Sequence, residues 1–136
     1  MDEMTHILIM DDDADVRRLF EQTLKDTAYR FTIVDSGKKG IAALHHKNYQ
    51  LVFLGLNMPN AGGLQALQKI RELSMTLPVY IVASFHRAAL MELDEARKMG
   101  LPFQLLKKPI GRMEILALTQ SVLSKPIQNS TSVGAL

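Results

Sequence analysis

Short apolar runs alternate with longer amphipathic stretches five times along the chain, and this alternation limits the fold more than any other feature. The runs are almost continuously hydrophobic, which is typical of strands buried on both faces of a parallel sheet. The stretches between them carry apolar residues at helical spacing. We predict strands at residues 6–10, 30–34, 51–54, 78–82 and 103–106. We predict helices at residues 14–25, from Ser36 onward, over 64–73, and at 88–99 and 112–123.

The helical spacing also predicts which residues face the sheet and which residues begin or end a helix. Aspartate and serine are good N-caps, so Asp12 or Asp13 is expected to cap the first helix and Ser36 the second. Gly100 is expected to end the fourth helix. The predicted inner positions of the first helix are Val16, Leu19, Phe20, Thr23 and Leu24. Those of the second helix are Ile41, Ala42 and Leu44, and those of the third are Leu64, Leu67, Ile70 and Leu73.

A repeated strand–helix unit predicts an α/β fold in which a parallel sheet carries helices on both faces. With 136 residues the chain suits one domain and is too short for an eightfold barrel, so we predict a single doubly wound, five-stranded open sheet. We place the domain at residues 1–124. We interpret the polar, unpatterned residues 125–136 as a flexible tail or the start of a linker.

Composition excludes several classes of function. The chain has no cysteine, so disulfides and thiolate metal sites are excluded. The net charge of +2 is too small to indicate that this chain binds nucleic acid. Its first residues carry acids and no basic region, and the apolar run that follows is too short for a signal peptide or a membrane span. We therefore predict a cytoplasmic protein that does not contact a membrane.

Charged and hydroxyl side chains follow the predicted strands at the edge where sheets of this kind bind ligands. Asp11-Asp12-Asp13 follows the first strand, Gly55 the third, Ser84 the fourth and Lys108 the fifth. Adjacent carboxylates repel each other unless a cation offsets them, and their hard oxygens suit Mg²⁺. A lysine opposite them supplies a positive charge for a phosphoryl group, and a carboxylate between them could act as a nucleophile. Glycine at position 55 cannot supply that carboxylate.

In these motifs the chain resembles the receiver domain of bacterial response regulators, the phosphoacceptor module of two-component (phosphorelay) signalling. The resemblance rests on residues 7–13, 54–59, 78–82 and 108–109, which occur in the receiver order, and it covers about residues 5–124. It implies a CheY-like, flavodoxin-like fold with strand order 2-1-3-4-5. It also implies a signalling module and not an enzyme.

The resemblance assigns roles to individual residues. Asp11 and Asp12 match the acidic pair that helps to bind Mg²⁺, and Asn57 matches the position whose backbone carbonyl is a metal ligand. Lys108 matches the invariant lysine, and its peptide bond to Pro109 is a candidate for the cis form. Gly55 matches the aspartate that becomes phosphorylated, so the phosphoacceptor is absent.

Further departures from the receiver pattern lie around the same pocket. Ala83 stands where receivers carry a threonine or serine that contacts the phosphoryl group, although the next residue, Ser84, has a hydroxyl. The aromatic switch position falls on Leu105 by counting back from the lysine, on Gln104 by counting forward, and on Phe103 by side-chain type.

We therefore interpret the chain as a pseudo-receiver that acts through protein–protein contact, independently of aspartyl phosphorylation. The resemblance implies a histidine kinase or a downstream effector as partner, bound at the fourth helix, fifth strand and fifth helix. Leu90, Met91 and Met99 are candidates for an apolar patch there, and a homodimer stays open. Mg²⁺ is expected to bind weakly or not at all, with Lys108 paired to Asp11 or Asp12.

Two alternatives stay open. Phosphorelay could persist with Asp13 or Ser84 as the acceptor, away from the usual position beside the lysine. A flavin- or nucleotide-binding module on the same sheet would need a glycine- or hydroxyl-rich loop that holds phosphate at a helix N-terminus. The three aspartates after the first strand would repel such a phosphate unless a metal intervened.

Overall fold

Five parallel strands form one sheet in the order β2-β1-β3-β4-β5, and a helix follows each strand. The computed structural model describes residues 5–58 and 62–124. Residues 59–61 of the predicted loop and the predicted tail 125–136 lie outside these described residues. The strands are β1 (His6–Met10), β2 (Arg30–Val34), β3 (Leu51–Gly55), β4 (Val79–Ala83) and β5 (Gln104–Lys107). The helices are α1 (Ala14–Leu24), α2 (Gly37–His46), α3 (Gly63–Leu73), α4 (Arg87–Lys98) and α5 (Arg112–Leu123).

This architecture confirms the predicted fold class and strand order. β2 and α5 have the predicted bounds, whereas β4 and β5 each begin one residue later than predicted. Pro78 precedes β4, and its carbonyl accepts a hydrogen bond from Val52 at 2.9 Å. The ladder continues past β5, because the Lys108 N–H donates to the carbonyl of Ala83 at 2.9 Å.

Side-chain and glycine caps fix the helix ends. Asp13, and not Asp12, caps α1, because its side chain accepts from the N–H of Asp15. Ser36 caps α2 as predicted. Gly100 follows α4 with a φ of 73°, a left-handed conformation that glycine adopts without steric cost.

The two faces of the sheet carry separate apolar cores, because successive side chains of a strand point to opposite faces. In β3, Val52 and Leu54 face α2, α3 and α4, whereas Leu51 and Phe53 face α1 and α5. The Phe53 ring packs against Phe20 of α1 with 4.8 Å between centroids. All of β3 is therefore buried, as its continuous hydrophobicity predicts.

The predicted inner face of α2 is wrong at one position. Ala42 is exposed, and the buried residues of the helix are Gly37 and Gly40. A Cβ at position 40 would overlap the side chain of Met10, the last residue of β1. The helix therefore lies close to the sheet through glycines, which carry no apolar side chain and so leave no signal in a hydrophobic pattern.

The inner face of α3 also departs from the prediction at its end. Leu67 and Ile70 are buried, but Leu73 is 49% exposed. A step of three residues turns a helix by about 300°, so each step falls about 60° behind the previous one. After three such steps from Leu64, Leu73 points away from the core.

Arg71 is a buried structural residue that the hydrophobic pattern does not indicate. Its guanidinium donates two hydrogen bonds to the carbonyl of Pro102, at 3.0 and 2.7 Å. It donates two more, to the carbonyls of Ser74 at 3.1 Å and Leu77 at 2.8 Å. One side chain thus joins the end of α3 to the loop before β5.

Within residues 5–58 and 62–124, no helix has the length and hydrophobicity to cross a bilayer.

Replacing Arg71 with Met is expected to lower the free energy of unfolding by about 3 kcal/mol, because three partly buried carbonyl hydrogen-bond acceptors lose the charged donor that joins them. Urea unfolding followed by circular dichroism measures the change. Lys69→Met is the matched control on the exposed face of the same helix and should change stability by less than about 0.5 kcal/mol. Equal effects of the two variants would contradict a structural role for Arg71.

Candidate functional site

The parallel strands bring Asp11, Gly55, Ser84 and Lys108 to one edge of the sheet. Met10 pairs with Leu54 in the β1–β3 register, so Asp11 lies beside Gly55. Gly55 pairs with Val82 and Ala83 pairs with Lys107, which places Ser84 and Lys108 next in line. The peptide bond between Lys108 and Pro109 is cis, as the resemblance implies.

Asp11 is the buried carboxylate of this edge, with 2% of its surface exposed. Its Oδ1 accepts a hydrogen bond from the N–H of Asp13 at 2.9 Å. Its Oδ2 is buried without a hydrogen-bond partner and lies 3.7 Å from Nζ of Lys108. The predicted ion pair of Lys108 is therefore formed with Asp11.

Burial raises the pKa of Asp11, because the charged form loses its hydration. The hydrogen bond from Asp13 and the charge of Lys108 act in the opposite direction, and the charges of Asp12 and Asp13 raise the pKa further. Desolvation is the largest of these effects. The carboxylate is thus stabilised less in the folded protein than in water.

Gly55 ends β3 directly against the Asp11 side chain. A Cβ at position 55 would lie 2.7 Å from Oδ2 and 2.8 Å from Cγ of Asp11, closer than such atoms approach in proteins. The Asp11 carboxylate therefore occupies the space that a side chain at position 55 would need. Any larger residue at position 55 requires Asp11 to change its rotamer.

His86 and Asn57 join the loops after β4 and β3. His86 Nδ1 accepts a hydrogen bond from the N–H of Ala89 at 3.2 Å and so caps α4. A neutral imidazole has one donor and one acceptor nitrogen, so Nε2 carries the hydrogen. Nε2 lies 3.2 Å from the side-chain amide of Asn57. The consistent arrangement turns the amide oxygen toward Nε2, since the two ends of an amide exchange places by a half-turn.

The residues predicted around the phosphoryl group divide between the core and the surface. Ala83 is 1% exposed and packs in the core beneath α3 and α4. Ser84 is exposed and lines a cavity of about 390 Å³ together with Lys108 and Asp13.

The candidates for the aromatic switch position lie on β5 and immediately before it. Leu105 and Phe103 are half-buried against the same core as Ala83. Gln104 is exposed on the strand between them. The guanidinium of Arg97 lies 5.3 Å from the centre of the Phe103 ring, which holds this aromatic side chain against α4.

The donor set for a metal ion is small. Asp11 supplies a buried carboxylate with one unpartnered oxygen, and Asp12 an exposed one. Across the described residues there is no group of three or more His, Cys, Asp or Glu side chains arranged to hold a metal ion. The residues fit at most a hydrated Mg²⁺ ion held by two carboxylates and the Asn57 carbonyl, and the ammonium of Lys108 opposes it.

Comparison with known proteins identifies relatives of this chain. Residues 7–120 match the family described as response regulator receiver domain. The chain is 35% identical over 125 residues to the response regulator ArlR of Staphylococcus epidermidis, covering 90% of this chain and 54% of the relative. It is 29% identical over 126 residues to the transcriptional regulatory protein ResD of Bacillus subtilis, covering 93% and 51%. The chain thus spans about half the length of these relatives.

Solved structures share the fold at lower identity. The Vibrio cholerae chemotaxis protein CheY4 superposes with a TM-score of 0.75 at 21% identity, over 88% of this chain and 98% of that one. A CheY-like receiver domain protein from Methanospirillum hungatei superposes with a TM-score of 0.79 at 20% identity, over 93% and 98%. These structural likenesses support the fold alone. The assignment to a family rests on the match over residues 7–120.

Replacing Asp11 with Asn is expected to raise the free energy of unfolding by about 1 kcal/mol at neutral pH in chelator-treated buffer. The amide keeps an acceptor for the Asp13 N–H and removes the buried charge. Asp12→Asn is the exposed control and should have little effect.

The increase in the free energy of unfolding that Asp11→Asn produces should become larger as pH rises. The folded protein binds the Asp11 proton more tightly than the unfolded chain, so the wild type loses stability relative to the variant as pH rises from about 4 through the raised pKa. Below about pH 4 the two proteins should have similar free energies of unfolding, because Asp11 is then protonated in the folded and in the unfolded state. Urea unfolding of both proteins between about pH 4 and pH 8 measures it, and a difference independent of pH would contradict the explanation.

Proposed function

Because the chain belongs to the response regulator receiver domain family, we propose that it serves two-component signalling as a receiver without a phosphoacceptor, through protein–protein contact. Receiver domains communicate with histidine kinases and effectors, and that general role follows from membership of the family. In this member of the family, the surface is recognised in one resting state, without an aspartyl phosphate at position 55.

The environment of Gly55 carries this proposal. In the receiver pattern the acceptor carboxylate stands between the acidic pair and the lysine, and Gly55 stands between Asp11 and Lys108. Glycine has no nucleophile, and the Asp11 carboxylate fills the space where one would project. Lys108, which would contact a phosphoryl oxygen, faces Asp11 at 3.7 Å. The pocket thus holds an ion pair between Asp11 and Lys108 where an acceptor carboxylate would stand.

The positions around the pocket support the same proposal. Ala83 has no hydroxyl to contact a phosphoryl group, and Leu105 has no aromatic ring that could move between an exposed and a buried position. A phosphorylation switch needs two arrangements that the phosphoryl group can distinguish. At Ala83, and at Leu105 as counted back from the lysine, the groups that would sense it are absent. The neighbouring hydroxyl is that of the exposed Ser84, and the neighbouring ring is that of Phe103, which packs beside Arg97.

We assign the partner surface to α4, β5 and α5, where large apolar side chains are exposed. Leu90 is 47% exposed and Met91 is 64% exposed on α4. Phe85, which precedes α4, is 39% exposed and lies 5.4 Å from Nζ of Lys107 on β5. An apolar patch edged by a cation is typical of a docking surface. A kinase, an effector or a second copy of the chain would bury it.

Phosphoramidate or acetyl phosphate with Mg²⁺ is expected to leave the wild-type chain without a phosphoryl group, because position 55 lacks the nucleophile. Intact mass spectrometry measures the outcome. Gly55→Asp is expected to gain one phosphoryl group once Asp11 rotates away, and Gly55→Asn is the control of equal size without a nucleophile. A stable phosphoryl group on the wild type that is lost in Ser84→Ala or Asp13→Asn would support the alternative of a displaced acceptor and contradict the proposal.

Magnesium is expected to bind weakly, with half-saturation above about 10 mM, since Lys108 offsets Asp11 and only two carboxylates remain. Backbone amide shifts of residues 11–13 during a Mg²⁺ titration measure the affinity. Gly55→Asp adds a third carboxylate and should tighten binding by about tenfold or more. Micromolar binding to the wild type would contradict the assignment of Lys108 as the counter-ion of Asp11.

A further inference from the structure

Acidic residues are absent from one long stretch of the chain. Residues 36–71 contain five Lys and Arg and no Asp or Glu, whereas the whole chain contains 16 and 14. The remaining residues therefore carry 11 basic and 14 acidic side chains. The stretch includes all of α2 and nearly all of α3, which are neighbours on one face of the sheet. Arg71 is buried, and Lys39 pairs with Asp35 at 3.0 Å. The remaining exposed cations that the stretch adds on or beside these two helices are therefore Lys38, Lys47 and Lys69.

A groove lies between the last turns of these two helices, at the edge of the sheet opposite Asp11 and Lys108. It encloses a cavity of about 610 Å³, within the range of volumes that bind ligands. Its apolar wall is formed by Leu44 of α2, by Leu73 at the end of α3 and by Leu77 in the loop before β4. None of the three is fully buried, and Leu73 is 49% exposed.

Positive charge edges this apolar wall. Lys47, at the end of α2, lines the cavity. Lys69 lies one helical turn before Leu73 on α3 and is exposed. Among the described residues that line the cavity, Lys47 is the charged one, whereas Lys69 and Glu72 are both exposed on α3 outside it. A ligand in the groove therefore meets an apolar wall and the positive charge of Lys47.

We propose that this α2–α3 groove binds an acidic segment of a partner protein, with a large apolar side chain of that segment inserted between Leu44 and Leu73. The charge of the groove favours carboxylates beside the anchor, and its volume accepts one leucine- or phenylalanine-sized side chain with its neighbours. The groove lies at the edge of the sheet opposite Gly55, so binding there does not depend on phosphorylation at position 55.

A polypeptide fits these features better than a nucleic acid does. Single-stranded nucleic acids stack their bases on exposed aromatic rings. Tyr49, the aromatic residue that lines the groove, is 8% exposed, and its hydroxyl donates to Thr32 at 2.9 Å. The apolar atoms lie inside a concave groove, which suits an inserted side chain and not a flat lipid surface.

The probe is a synthetic fluorescein-labelled peptide in which phenylalanine and leucine alternate with aspartate and glutamate. Titration into the ¹⁵N-labelled chain should shift the amides of Leu44, Lys47, Leu73 and Leu77. Affinity should fall several-fold when NaCl rises from about 50 to 300 mM, because screening weakens the charge attraction. Peptides with glutamine in place of the acids, or serine in place of the apolar residues, should bind at least about tenfold more weakly.

Two pairs of variants separate the groove from general surface effects. Lys47→Glu and Leu73→Gln should each weaken peptide binding by about tenfold or more. Lys25→Glu and Met113→Gln are matched controls on the other face of the sheet and should leave binding unchanged. Lys25 is exposed directly after α1, and Met113 is exposed on α5. Thermal unfolding of all four variants verifies that they fold.

Several results would overturn the proposal. These are no amide shift at about 1 mM peptide, shifts confined to α4 and α5, or equal loss of binding in the control variants. Tighter binding of a single-stranded oligonucleotide or of anionic phosphatidylserine vesicles at the same residues would assign the groove to another class of partner. Self-association of the chain that Leu73→Gln abolishes would assign it to a second copy.

Discussion

The common direction of the five strands is the constraint on which the rest of this structure depends. A parallel sheet must be covered on both faces, so the chain alternates strands with helices and divides its apolar residues between two cores. The same direction collects every carboxyl end at one edge. Asp11, Gly55, Ser84 and Lys108 are far apart in sequence, and the β1–β3–β4–β5 registers alone make them neighbours.

At that edge, one buried carboxylate determines the chemistry. Asp11 is desolvated, receives one hydrogen bond from the backbone and faces a lysine that is too distant for a second. Asp12 and Asp13 are exposed beside it, and their charges oppose ionisation of Asp11. The buried negative charge of this edge is thus that of Asp11, and Lys108 is the cation that faces it.

The sequence predicted those features that depend on local patterns. Apolar runs located the strands, Ser36 and Gly100 marked helix ends, and the motif order placed the acidic pair of Asp11 and Asp12 near Lys108. It did not predict contacts made by groups that leave no apolar signal. Gly40 packs against Met10 because it lacks a side chain. Arg71 is buried because carbonyls of the loop after α3 and of the distant loop before β5 converge on it. The choice between Asp11 and Asp12 as partner of Lys108 also required the three-dimensional structure.

The close approach of the Asp11 carboxylate to Gly55 has a consequence for any substitution at the end of β3. A side chain added at position 55 and the ion pair of Asp11 with Lys108 compete for the same space. Even an uncharged side chain there would change the charge balance of this edge, because Asp11 would have to adopt another rotamer. The size of residue 55 thus controls an electrostatic contact that it does not itself make.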